Sequence, residues 1–335
     1  LLMSLTTSTI ITMSSAHWLL AWVGLELNTL SILPMLIKPH HPRATEATTK
    51  YFLIQATAAT LILLAGITST WQTGQWSISH MPPTQTLLTT TALMLKLGAV
   101  PVHLWYPQTL QGVTMNTALI ISTWQKLAPL TLLYMTHPSL NHTVLLTIGL
   151  TSALVGGWAG LNQTQTRVIL AFSSIAHMGW LLTAIAISPS LTTLTMMMYL
   201  LTTIATFMPT ATMKNITDIG TTWPMSPPTL TAMMITLMSL GGLPPLTGFM
   251  PKWLVLKELL SMKLTPLATG ILLASLPSLF FYIRLAYLTM LTTPPTTTNT
   301  EHKWRFKLNQ PSHMAPTIMA ATLLLPLTAT LYTTT

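Results

Sequence analysis

Acidic residues number only five in this chain of 335, and charged residues of both signs make up 6% of it while half of it is hydrophobic. A soluble domain carries roughly a quarter charged residues. A chain this poor in charge cannot clothe a folded core in a water-facing surface. Disorder requires the opposite composition, with high charge and low hydrophobicity. What remains is a protein whose outer surface faces lipid.

The distribution of apolar residues carries the same message. A spanning helix needs about 20 mostly apolar residues, and such runs fall at roughly 1–13 (shortened), 15–37, 47–70, 83–111, 114–136, 142–161, 166–188, 190–212, 228–262, 265–291 and 314–333. The predicted fold is therefore all-α: a polytopic membrane helix bundle of about eleven transmembrane helices in one domain over residues 1–335. Residues 292–313 form a polar connection before the last helix. The basic residues test the count, because alternate connections must lie on opposite sides of the bilayer. Lys38, Arg43, Lys50, Arg167, Lys214, Lys303, Arg305 and Lys307 all fall on one side, and Lys263 stands almost alone on the other. The net charge of +9 does not point to nucleic acid, since no basic stretch is long enough to make a phosphate-binding face. Cysteine is absent, so the chain supplies no disulfide, thiolate metal site or iron–sulfur cluster. No cleavable leader is visible. The first residue, Leu1, lies inside an apolar run, and the N-terminus is expected to be incomplete.

Against this background four charges are out of place. An ionisable group at the centre of a bilayer costs about 2.5–3.5 kcal/mol. Glu26 lies in "HWLLAWVGLELNTLSILP", about 11 residues from either end of its run, which at 1.5 Å per residue is roughly 16 Å deep. Lys96 in "TALMLKLGAVPVHLWYP" and Lys126 in "ALIISTWQKLAPLTLLY" are similarly central, and Lys252 follows "MSLGGLPPLTGFMP". Structural ion pairing can absorb Glu26 with one lysine, but it leaves two lysines without an acidic partner. A lateral row of proton sites accounts for all four. Arg284 lies within snorkelling reach of the basic side and reads as an anchor. Most Ser and Thr residues in these runs are expected to bond their own backbone. Tyr134, Tyr199 and Trp124 read as packing residues.

Two runs are too long for one straight helix, and each contains a break. In "KLGAVPVHLWYP" and "LGGLPPLTGFMPK", Pro101, Pro244, Pro245 and Pro251 cannot continue helical hydrogen bonding, and Gly98, Gly241, Gly242 and Gly248 weaken it. Broken backbone at membrane depth persists only where protein or internal water satisfies it. Each break carries a lysine, Lys96 or Lys252. The breaks fall five spans apart, so the second copy runs the opposite way through the membrane, which is the inverted-repeat plan of many transporters. His103 and His177 both lie in apolar surroundings. Each reads either as a proton relay or as a single hydrogen bond tying two helices together.

Five of these motifs, "HWLLAWVGLELNTLSILP", "LKLGAVPVHLWYP", "STWQKLAPL", "SSIAHMGW" and "SLGGLPPLTGFMPKW", resemble in order and spacing the subunit 2 family of vertebrate mitochondrial complex I, NADH:ubiquinone oxidoreductase. The resemblance covers nearly the whole chain. It implies an antiporter-like fold in the membrane arm of that complex, multi-pass in the mitochondrial inner membrane, with the basic loops and the 292–313 connection on the matrix side. It implies proton translocation coupled to electron transfer from NADH to ubiquinone elsewhere in the complex. By motif, the family's charged residues fall on Glu26, Lys96, Lys126 and Lys252. No cofactor is expected in this chain; FMN, iron–sulfur clusters, NADH and ubiquinone belong to the rest of the complex. The expected partners are other membrane-arm and accessory subunits and the lipid bilayer, without which the isolated chain is not functional. A free-standing cation/proton antiporter would share the broken helices and buried charges, and is the alternative. A haem-carrying subunit is disfavoured because His103 and His177 make at best one poor axial pair.

Overall fold

The structure, a computed structural model, describes residues 1–78, 81–211, 213, 215–221, 227–291, 314–328, 330 and 332. Lys214, Lys303, Arg305, Lys307 and the 292–313 connection lie outside the described residues. Among the described residues the elements are helical, apart from two isolated bridges, His17 to Ser77 and Gln165 to Asn215. The order is α1 (Leu2–Ser14), α2 (Trp18–Ile37), α3 (Pro42–Thr73), α4 (Pro83–Leu97), α5 (Trp105–Gly112), α6 (Met115–Ser122), α7 (Trp124–Thr136) and α8 (His142–Gly160). It continues with α9 (Thr166–Ile187), α10 (Pro189–Thr210), α11 (Ile216–Thr221), α12 (Pro227–Gly241), α13 (Phe249–Ser261), α14 (Thr265–Leu291) and α15 (Met314–Leu323).

Six of these helices (α2, α3, α8, α9, α10 and α14) are each long and apolar enough to cross a membrane. Their outer faces carry large apolar side chains, such as Leu53 and Leu64 on α3 and Leu273 and Phe280 on α14, which water would penalise and lipid accepts. α9 is the exception: every residue from Val168 to Ala186 except His177 is buried, which makes it the central post of the bundle. α8 approaches it through small residues. A Cβ added at Gly156 would lie 2.6 Å from the Ala176 backbone, and one at Gly179 would lie 2.5 Å from the Gly149 carbonyl. Many buried hydroxyls are satisfied within their own helices: Thr12, Thr89 and Thr206 each donate to the carbonyl three residues earlier.

Both expected breaks are present and end in the same way. α4 stops at Gly98, which adopts φ +71°; its N–H bonds the Leu95 carbonyl and the Ala99 N–H bonds the Met94 carbonyl. α12 stops at Gly242 with φ +78°; its N–H bonds the Ser239 carbonyl and the Leu243 N–H bonds the Met238 carbonyl. This pair of bonds is the Schellman ending, which needs a left-handed residue that glycine supplies without a side-chain penalty. The chain resumes as α5 and α13. The second break is held from outside by the last helix: Ser239 donates to the Ala321 carbonyl at 2.7 Å, and Thr247 donates to the same oxygen.

The expectation of two broken helices is corrected in one respect. The 114–136 run, read as continuous, is interrupted at Thr123, where α6 ends and α7 begins. No Gly or Pro marks this point. The Thr123 N–H and hydroxyl both return to the Leu119 carbonyl, at 3.0 and 2.7 Å, and Lys126 follows within the next turn.

Candidate functional site

Lys96 sits in the last turn of α4, directly before the Gly98 ending, and is buried. Its Nζ has no hydrogen-bond partner, while its carbonyl accepts from Gln55 Nε2 at 3.4 Å. Glu26, on α2, is half-buried, and its Oε2 is likewise enclosed and unpartnered. The carboxylate lies within electrostatic reach of Lys96 and of the buried Tyr51, but among the described residues no salt bridge joins Glu26 to a lysine.

Lys126, in the first turn of α7, faces the same cavity as Lys96. That cavity is also lined by Asn28, Tyr51, Gln55 and Gln125 and has room for about one water. The Lys126 ammonium donates to the Tyr199 hydroxyl at 3.1 Å and to the Ser174 carbonyl at 3.4 Å. It lies 5.0 and 5.1 Å from the ring centres of Tyr106 and Tyr199. Lysine is seldom fully buried, and here two ring faces and two oxygens replace its water shell. Tyr199 in turn donates to the Ser122 carbonyl at 2.6 Å, at the point where the helix is interrupted.

Tyr199 also lines a second cavity, shared with His177, Trp180, Ser239 and Lys252. The His177 ring lies 5.9 Å from that of Tyr199, and its Nε2 is 3.3 Å from the Tyr282 hydroxyl, which ties α9 to α14. Lys252, in the first turn of α13, reaches back across the second break. Its Nζ donates to the Gly241 carbonyl at 2.9 Å and lies 5.9 Å from the Trp180 ring. Gly242 leaves room for it, since an added Cβ would sit 3.1 Å from the Lys252 side chain.

Lys96, Lys126, His177 and Lys252 thus fall along two cavities, the first lined by Lys126 and the second by Tyr199, whose hydrogen bond to each other joins them. Glu26 stands beside the first. His103 stands apart: it is half-exposed on the first break, lines neither cavity, and its Nδ1 is 3.3 Å from the Pro101 carbonyl. Tyr199, read from the sequence as a packing residue, is the bridge between the cavities, whereas Tyr134 and Trp124 are exposed. Sequence reasoning also passed over Asn28, Gln55 and Gln125. Their signal was a neutral amide inside an apolar run, which for Asn28 lies two residues from Glu26 and for Gln125 next to Lys126. Arg284 donates to the Leu161 carbonyl at 2.9 Å.

Two family models match the chain: one described as NADH:quinone oxidoreductase/Mrp antiporter, TM, over residues 15–276, and one described as NADH dehydrogenase subunit 2 C-terminus, over residues 279–332. NADH-ubiquinone oxidoreductase chain 2 of Struthio camelus is 50% identical over 331 residues, covering 97% of this chain and 95% of the relative. The protein of the same name from Carassius auratus is 50% identical over 342 residues, covering all of this chain and 97% of the relative. Two more distant solved structures share the fold. A chain of respiratory complex I from Thermus thermophilus superposes with a TM-score of 0.83 at 24% identity, covering 95% of this chain and 74% of that one. A chain of the Mrp complex from Dietzia sp. superposes with a TM-score of 0.82 at 16% identity, covering 98% and 74%.

Proposed function

The chain belongs to the NADH-ubiquinone oxidoreductase chain 2 family, and on that premise we propose that Glu26, Lys96, Lys126 and Lys252 carry its protons, with His177 and Tyr199 between the lysines. It is a multi-pass membrane subunit of the proton-translocating NADH:ubiquinone oxidoreductase, and works as one part of that assembly. Electrons pass from NADH to ubiquinone elsewhere in the complex, where the FMN and iron–sulfur clusters reside; a chain without cysteine offers no thiolate to a cluster. We place it in the mitochondrial inner membrane with its basic loops toward the matrix.

The mechanism follows from the cost of buried charge. A carboxylate near a buried ammonium supports its charge, and withdrawing the carboxylate removes that support. A neighbouring subunit that draws Glu26 away therefore drives the Lys96 proton into the first cavity, toward Lys126. The Lys126–Tyr199 bond links this cavity to the second one, where His177 and then Lys252 lie at the far end of the path. His103 remains a candidate relay at the first break, off this line.

The observation that carries this reading is the contact between Lys126 and Tyr199, which makes two separate cavities one polar route. Lys126→Met tests it. The assembled complex in proteoliposomes is expected to keep its subunits but lose most NADH-driven proton translocation; unchanged pumping would overturn it. The alternative, a free-standing cation/proton antiporter, would be favoured if the purified chain alone exchanged cations for protons in liposomes.

A further inference from the structure

Next to Lys126, in the cavity it shares with Lys96, stands a side chain that cannot itself titrate. Gln125 is buried and lines the first cavity with both lysines. Its Nε2 donates to Asn28 Oδ1 on α2 at 3.1 Å, and its Oε1 accepts from the Tyr51 hydroxyl on α3 at 3.4 Å. One amide thus ties α2 and α3 to α7 just past the Thr123 interruption. The cavity that the amide shares with both lysines has room for about one water.

The acceptor of the 3.1 Å bond sits two residues along α2 from Glu26. Glu26 stands beside the first cavity and Asn28 lines it, both carried on one helix. Lys96 and Gln125 line one cavity, so a retreat of α2 from it moves the Glu26 carboxylate away from Lys96 and Asn28 away from Gln125 together. The amide donor is then left buried without an acceptor, a state that favours either rotation or entry of water.

We propose that Gln125 is a positioning residue that closes the path between Lys96 and Lys126, and that Asn28 releases it when α2 moves. This rests on the reading of the lysines as proton sites. A single motion then has two effects: it withdraws the charge that holds the proton on Lys96, and it opens the way to Lys126. The latch keeps the resting membrane tight, because protons cannot cross when Glu26 is seated.

The test is the proton leak of the idle complex. Assembled complexes are reconstituted in liposomes, a pH gradient is imposed without NADH, and its decay is followed with an entrapped pH dye. Asn28→Ala removes the acceptor and is expected to speed the decay several-fold. Gln125→Ala, which removes the plug itself, should do the same and serves if the first variant does not assemble. Tyr51→Phe leaves the Asn28 bond in place and should change the decay less. Adding Lys126→Met to either leaking variant should return the decay to the wild-type rate, because the leak runs through Lys126. Wild-type decay in both alanine variants, or a leak that survives Lys126→Met, would overturn the latch. Pumping by Lys126→Met alone, driven by NADH, reports separately on the underlying proton path.

Discussion

Lys252 reaches back over the second break to the Gly241 carbonyl, so the cation of one half-helix rests on the last carbonyl of the other. That end of α12 carries the negative pole of its helix, and a buried ammonium is well placed there. The same bond makes Lys252 a hinge between the halves as well as a charge. Lys252→Arg and Lys252→Met separate these roles. Arginine keeps the charge and the donor but does not give up its proton, whereas methionine loses both. Both variants are expected to pump poorly. Only Lys252→Met is expected to lose thermal stability by more, about 1.5–3 kcal/mol for a lost charge-assisted bond, as read by heat inactivation of the assembled complex.

Tyr199→Phe removes one hydroxyl that serves two partners, Lys126 and the Ser122 carbonyl. The ring remains, so the cation stays over an aromatic face. Protons pumped per electron should fall while NADH oxidation in detergent is retained. The unpaired groups should cost about 1–3 kcal/mol of stability. A full pumping ratio in an assembled Tyr199→Phe complex would remove the tyrosine from the path.

Glu26 and Lys96 act on each other through space, without a direct bond. If they are one switch, their losses are not additive. Glu26→Gln and Lys96→Met should each reduce pumping strongly, and the double variant should be little worse than either alone. Additive losses would mean two independent sites.

Gly98 and Gly74 have nearly the same backbone, φ +71° and +72°, but different surroundings. An added Cβ at Gly98 meets the Tyr106 side chain at 3.2 Å, while at Gly74 nothing lies within 4 Å. Gly74→Ala should cost only the left-handed strain, about 1–2 kcal/mol. Gly98→Ala should cost more, and by shifting Tyr106 it should also disturb the ring beneath Lys126. Thermal unfolding of the two assembled variants checks the order.

Much of this was legible in the sequence because lipid imposes a simple rule. Charge is expensive at depth, so Glu26, Lys96, Lys126 and Lys252 announced themselves, and Gly–Pro clusters marked the two breaks. The interruption at Thr123 was not legible. The local sequence "STWQK" carries no breaker; the Ser122 carbonyl is taken instead by Tyr199, which lies 77 residues further along the chain. Asn28, Gln55 and Gln125 were visible as amides in apolar runs, but their meaning depends on which helix faces which. The apolar runs do not encode that, since Leu and Thr can line either side.

The paired hydroxyls of Ser239 and Thr247 on the Ala321 carbonyl have a consequence for biogenesis. The ribosome makes α12 and α13 long before α15, so their junction must wait, incompletely bonded, until the final helix inserts. A nascent subunit released short of Ala321 would carry every buried lysine yet lack the clasp on its second discontinuity. Quality control that senses an unfinished α15 would thereby also be sensing a second break left unclasped.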